Sequence, residues 1–138
     1  MDDVLHYERL LRRHARLETV ELPESRSGSA PRERAVSEEG ARILGRLPER
    51  AHVSVLDREG ALFASEDLAA SIAERREDGR DLCFVVGGPF GLAAAVFERA
   101  DARISLGRVT LPHQLARVVL LEQLFRAHKI LAGEPYHY

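Results

Sequence analysis

The last third of the chain holds the residues whose types and spacing could support chemistry. An apolar run at residues 82–86 leads into Gly87-Gly88-Pro89-Phe90-Gly91, and His113 and Arg117 follow at the start of a helical pattern. Glycines directly after a buried strand let the backbone approach a ligand closely. A plain tight turn explains the same glycines equally well. The pattern therefore predicts either a ligand site after this strand or a structural turn.

A second candidate group closes the sequence. In Pro135-Tyr136-His137-Tyr138 a histidine stands between two tyrosines, at a terminus that a fold rarely needs for packing. Histidine transfers protons near neutral pH, and tyrosine can stack on a nucleobase. His113 has an alternative role, since it could simply cap the helix that begins after Leu111-Pro112. No metal site is predicted. A nucleotide-binding flavodoxin-like domain is a weaker alternative, and the absence of Gly-x-x-x-x-Gly-Lys argues against a P-loop.

Composition restricts the class of protein and its partners. The 138 residues fit one domain, with 45% apolar and 30% charged residues. No apolar stretch approaches the roughly 18 residues of a membrane span, and no signal-peptide pattern begins the chain, so we expect a cytoplasmic protein without a membrane partner. Cys83 lies in the apolar run and is predicted to be a small buried hydrophobe. The net charge of −2 disfavours a DNA-binding role and requires any RNA to bind a local patch.

Helices and strands alternate along the chain, and these elements must position the candidate residues. The alternation predicts a single α/β domain over residues 1–138, with a parallel sheet and a ligand crevice at the carboxyl ends of its strands. Ser65 is the predicted N-cap of the third helix, and Gly79 is its predicted stop. Helices are predicted at residues 2–16, 31–47, 65–78, 92–100 and 113–131, and strands at 17–22, 52–57, 82–86 and 104–106.

The final helix is apolar nearly all the way round. A surface helix of one domain needs only an apolar stripe, so residues 115–131 predict one face on the sheet and another on a partner subunit. Glu122 and Arg126 are spaced as an ion pair, which could be an ordinary surface pair. The helix therefore predicts a homodimer.

Several stretches resemble the RlmH family of bacterial SPOUT-class methyltransferases. Those enzymes methylate N3 of a pseudouridine in helix 69 of 23S ribosomal RNA. The resemblance spans nearly the whole chain and is weaker upstream, where Glu39-Gly40 and Leu56-Asp57 match in order. Its most specific parts are residues 85–92, 105–117 and 122–127 and the terminal Pro135-Tyr136-His137.

The resemblance implies a Rossmann-like parallel sheet whose C-terminal part, about residues 82–138, forms a trefoil knot and binds a cofactor. It also implies S-adenosylmethionine as the cofactor, a homodimer, and 23S rRNA within the large subunit or ribosome as the partner. By position, the cofactor-binding residues would be Leu56, Asp57, Gly88, Gly107, Arg108, Val109, Thr110, Leu111 and Pro112.

The implied reaction needs a proton handler, because N3 of a uracil-type base is protonated before it can accept a methyl group. The candidates are His137, His113, Arg117 and Arg126, with Tyr136 placing the tail.

Two departures from the family stand against full activity. RlmH-like chains usually begin with an additional strand inside the sheet, whereas the first helix here follows Met1 almost at once, and Ala61 stands where lysine is frequent. A catalytically silent ribosome-binding module is therefore the alternative prediction.

Overall fold

The computed structural model describes residues 2–22, 32–88 and 91–135, and from residue 32 onwards helices and strands alternate as predicted. No helix in these ranges has both the length and the apolar composition needed to cross a membrane. The α/β class is confirmed, the last helix begins and ends where the sequence predicts, and the third helix ends where predicted. The elements are α1 (Asp2–Leu11), α2 (Arg32–Arg46), β1 (His52–Leu62), α3 (Ser65–Asp78), β2 (Leu82–Val85), α4 (Ala94–Arg99), β3 (Ala102–Ser105) and α5 (His113–Leu131).

The described strands form one parallel sheet with the order β2-β1-β3. Side chains alternate across it, so that Phe84 packs with α1, α3 and α5 while Val85 packs with α2 and α4. Val53 and Val55 of β1 and Val96 of α4 are fully buried. The sheet is therefore the middle layer between two groups of helices. The implied knot stays a prediction.

Residues 17–22 do not form the predicted strand. They follow α1, which ends at Leu11 rather than at residue 16, and they join no β-ladder. A groove of about 510 Å³ is lined on one side by these residues and on the other by residues 82–88. Apolar, extended sequence forms a strand only where a partner edge lies within hydrogen-bonding distance, and here the groove intervenes.

The other three strand predictions also need correction. β1 continues beyond its predicted end at residue 57 to Leu62, across an irregularity where Ile104 pairs with both Leu56 and Ala61. β2 was predicted to be a buried strand, but it is an edge strand of the described sheet, and Val85 is the one residue in it that is buried. β3 spans Ala102–Ser105, so it begins and ends earlier than the strand predicted at residues 104–106.

The start of α3 differs from the prediction as well. Ala64, not Ser65, is the N-cap residue, and its N–H donates to Asp67 Oδ2 over 2.7 Å. The Ser65 hydroxyl instead donates to Gln123 Oε1 over 2.6 Å and so joins α3 to α5. The predicted stop is confirmed, because Gly79 takes the left-handed conformation with φ +71°.

Asp101 fixes the amino edge of the sheet. Its Oδ2 accepts from the Val53 N–H over 2.9 Å, and this bond lowers the pKa of the carboxyl, aided by Arg80, His52 and Arg99. Arg80 and Arg99 also donate to backbone carbonyls in residues 48–51. These bonds hold the amino-terminal ends of the strands together. The carboxyl edge of the sheet is therefore the place where loops can form a site.

Candidate active site

The register of the sheet brings the predicted cofactor segments to one edge. Val55 pairs with Val85, and Leu56 pairs with Ile104 on the other side of β1. Leu56-Asp57 therefore lie between the Gly87-Gly88 turn after β2 and Gly107 after β3. Asp57 already has a partner there, since its Oδ2 lies 3.5 Å from Arg103 Nε.

The turn after β2 is built on close contacts that favour glycine, because any side chain there would displace the ends of neighbouring side chains. The Gly88 N–H donates to Glu39 Oε1 over 3.0 Å, and a Cβ at Gly88 would lie 2.9 Å from Glu39 Oε2. A Cβ at Gly87 would lie 2.8 Å from the Leu92 side chain. In α2, a Cβ at Gly40 would lie 2.7 Å from Ala93 Cβ, so the helix that carries Glu39 lies directly against the chain beyond the turn.

Residues 107–112 form the second predicted cofactor segment. Gly107 has φ +127°, a conformation that strongly favours glycine, and a Cβ there would meet nothing within 4 Å. Its N–H donates to Ser105 Oγ over 3.0 Å, and Arg58 Nη1 donates to Thr110 Oγ1 over 2.6 Å. The segment is thus tied to β1 and β3 while the backbone of Gly107 stays open.

The remaining residues of this segment differ in exposure. Leu111 is half-buried, while Val109 is exposed. Arg108 lines a second, polar depression with Arg58, Gly60 and Leu62. Pro112 is the N-cap residue of α5, so His113 is the first residue of the helix rather than its N-cap.

His113 and Arg117 line the same groove as Gly87, Gly88 and Glu39. The structure therefore brings two of the predicted proton-handling residues to the glycine turn. Tyr136 and His137 lie outside the described residues, and their roles stay predictions.

Arg117 is held by carboxylates from two segments. It donates to Glu8 Oε2 over 3.5 Å and to the carboxylate of Glu21. Glu8 is only 5% exposed and accepts a second bond, of 2.6 Å, from the Thr19 hydroxyl. These bonds join α1 and residues 19–21 to the first turns of α5, so Arg117 has a structural function in this chain whatever else it does.

Cys83 is less deeply buried than the sequence predicts. It is half-buried on β2, and burial raises the pKa of its thiol, against the opposing charge of Arg99. The thiolate, which is the reactive form, is therefore disfavoured. Within the described ranges, no three His, Cys, Asp or Glu side chains are grouped as a metal site would require.

The sequence reasoning missed Glu8 and underrated Glu39. Glu8 shares the buried face of α1 with Val4 and Leu11, and a charged residue at that spacing was the available signal. Glu39 was noted only as part of a weak family match. Its partner Gly88 lies 49 residues further on, and no local pattern indicates that contact.

Comparison with known proteins agrees with this geometry. Residues 2–137 match the family model described as a predicted SPOUT methyltransferase. A Rubrobacter xylanophilus protein named ribosomal RNA large subunit methyltransferase H is 52% identical over 135 residues, covering 96% of this chain and 85% of that protein. Proteins with the same name from Listeria monocytogenes and Carboxydothermus hydrogenoformans are 41% and 42% identical, over 97% and 99% of this chain and 87% and 89% of their own lengths. The chain therefore belongs to the RlmH family of SPOUT methyltransferases.

Proposed function

We propose that the protein transfers a methyl group from S-adenosylmethionine to N3 of a pseudouridine in helix 69 of 23S ribosomal RNA. One observation carries the proposal: 52% identity over 96% of the chain to a protein named ribosomal RNA large subunit methyltransferase H. The base and the helix come from the resemblance to the RlmH family. We place the reaction in the cytoplasm, on the large subunit or the ribosome.

The residues at the carboxyl edge of the sheet fit an adenosyl cofactor. The backbone at Gly107 is open, because a Cβ there would meet nothing within 4 Å, and Gly88 belongs to the wall of the large groove. SPOUT methyltransferases generally use S-adenosylmethionine, which supplies a methyl group already activated on a sulfonium. Leu56, Asp57, Gly88 and residues 107–112 would hold it.

The chain itself must align the base and manage its N3 proton. His113 lines the groove beside Gly88 and is exposed, so its imidazole can reach a bound base. Arg117 lines the same groove, but Glu8 and Glu21 already compensate its charge. We therefore expect His113 or His137 to accept the proton, with Tyr136 placing the tail and Arg117 holding α5 in position.

A homodimer remains part of the proposal, on a smaller surface than the sequence indicates. The apolar residues of α5 from Leu120 to Phe125 are mostly buried against α1 and α3 of the same chain. Leu115 at the start of α5 is 44% exposed and Val109 is 68% exposed. These two residues support a contact between subunits near the cofactor segment.

The test is incorporation of tritiated methyl groups into ribosomes that lack the modification, together with calorimetric titration of the protein with S-adenosylmethionine. We expect both incorporation and saturable cofactor binding. Ribosome binding without cofactor affinity would instead establish the catalytically silent module. Incorporation at a different atom or nucleotide would retain the methyltransferase activity and overturn the N3 assignment.

A further inference from the structure

Glu39 is a carboxylate in the groove that has no ion-pair partner among the residues that the structure describes. Two cations also line it, and each is paired: Arg46 lies 3.9 Å from Glu18, and Arg117 contacts Glu8 and Glu21. Within residues 2–22, 32–88 and 91–135, no salt bridge reaches Glu39, and its one hydrogen bond is the one from the Gly88 N–H. A negative charge thus stands at the glycine turn with no positive side chain against it.

Two contacts place this carboxylate at the turn. Glu39 is half-buried on α2, and the contact between Gly40 and Ala93 holds that part of the helix against the chain beyond the turn. Oε1 is bound to the Gly88 N–H over 3.0 Å. A molecule lying on the backbone of Gly88 would therefore have the carboxylate within a few ångströms, at a site where partial burial strengthens charge interactions.

The proposed cofactor changes charge during the reaction. S-adenosylmethionine carries a positive sulfonium, and loss of its methyl group leaves S-adenosylhomocysteine, whose sulfur is a neutral thioether. The two molecules are otherwise the same. A carboxylate near this sulfur would attract the donor and would have no comparable attraction for the product.

We propose that Glu39 is a specificity-determining residue that favours the cationic methyl donor over its neutral product. The proposal rests on the proposed function, because it assumes that the adenosyl cofactor binds at Gly88. It assigns Glu39 two separable tasks. The oxygen atom holds the Gly88 amide, and the charge selects the sulfonium.

The variant Glu39→Gln separates these tasks, because a glutamine oxygen still accepts from the Gly88 N–H but carries no charge. Calorimetry would measure the affinities of wild type and variant for S-adenosylmethionine and for S-adenosylhomocysteine. We expect the variant to bind the donor about tenfold more weakly, with product affinity changed less than about twofold. Glu38→Gln is the matched control, since Glu38 is the neighbouring carboxylate and pairs with Arg34 on the helix surface. It should leave both affinities unchanged.

Three results would overturn the proposal. Equal weakening of donor and product would show that Glu39 acts only on the shape of the turn. Unchanged affinities would show that its charge does not reach the cofactor. If the wild type bound neither ligand, the proposed function itself would fail. The wild-type titrations alone distinguish that failure from a failure of the Glu39 proposal. Thermal unfolding of both variants checks that each is folded.

Discussion

The guanidinium of Arg117 lies 3.5 Å from the carboxylate of Glu8, a side chain that is almost wholly buried. The contact joins the first helix to the last one, across 109 residues of sequence. An arginine predicted as a catalytic candidate is therefore also the partner of a buried charge. Loss of activity on its removal would not by itself show a catalytic role.

Arg117→Ala should lower the free energy of unfolding by about 2–4 kcal/mol, because it leaves the Glu8 carboxylate buried beside only the Thr19 hydroxyl. Urea unfolding followed by circular dichroism measures the loss. In the double variant Glu8→Gln/Arg117→Ala, much of the stability should return, since the buried charge is gone. Arg34→Ala is the control, as its exposed pair with Glu38 contributes less than about 1 kcal/mol. A double variant no more stable than Arg117→Ala would contradict this account.

The local signals in the sequence were sufficient for some elements and not for others. Gly79 and Pro112 are helix-breaking residues that can be recognised from the few residues around them. The end of α3 and the start of α5 are therefore predictable. Residues 17–22 have a strand-like composition. Whether they pair depends on where the edge of another strand lies in the fold, and no local sequence pattern specifies that position. The extension of β1 to Leu62 likewise depends on Ile104, more than 40 residues away.

The candidate site divides in the same way. The glycine turn follows from local chemistry and was predicted, whereas the positive φ of Gly107 was not predicted. Glu39 reaches Gly88 only through the packing of α2 on the segment around Ala93, so its role follows from tertiary structure.

Gly88→Val should abolish binding of S-adenosylmethionine, with affinity reduced at least about 100-fold in calorimetry. The new Cβ would lie 2.9 Å from Glu39 Oε2, which forces the carboxylate aside and places a branched side chain on the proposed cofactor surface. The fold should survive, because the crowded atoms are the end of a flexible side chain. Gly45→Val in α2 is the control, as a Cβ there meets nothing within 4 Å. A folded Gly88→Val protein with normal affinity would leave the turn a purely structural role.

His128 should make the protein less stable in mild acid. Burial lowers the pKa of this histidine to about 4, with further contributions from Arg76 and His14. Because Arg76 only donates, the 2.9 Å contact with Nδ1 requires a lone pair on that atom. The unfolded chain binds the proton near pH 6.5 and the folded chain does not. This contribution is therefore complete above pH 6.5 and is lost as pH falls towards 4, at a total cost of roughly 3 kcal/mol.

Urea unfolding at pH 7 and pH 4.5 measures this effect. His128→Gln keeps an acceptor for Arg76 and cannot be protonated, so the difference in stability between the two pH values should shrink. His6→Gln, on the exposed side of α1, is the control and should keep the full difference. An unaltered pH dependence in His128→Gln would assign the acid sensitivity to other groups.

Leu115→Glu should convert the proposed homodimer to monomers at micromolar concentration, measured by light scattering. Leu115 is a large exposed apolar residue of α5, and a buried glutamate at a subunit contact is strongly unfavourable. Leu124 is unsuitable for this test, because it packs in the core against α1 and α3 and its replacement by glutamate would unfold the chain. Leu5→Glu on α1, also an exposed leucine, should leave the dimer intact. A monomeric wild type would end the homodimer proposal.

Deletion of Tyr136-His137-Tyr138 should abolish methylation while retaining cofactor affinity. The sequence predicts His137 as a proton handler and Tyr136 as its support, and the helix and strand residues named in the core all precede this tail. Tritiated methyl incorporation into unmodified ribosomes should therefore fall by at least about 100-fold, with S-adenosylmethionine affinity within a few-fold of wild type. His137→Ala should reproduce most of this loss, and Tyr138→Ala, the matched control, less of it. Full activity in the truncated protein would transfer the proton-accepting role to His113, whose place in the groove beside Gly88 makes it the next residue to replace.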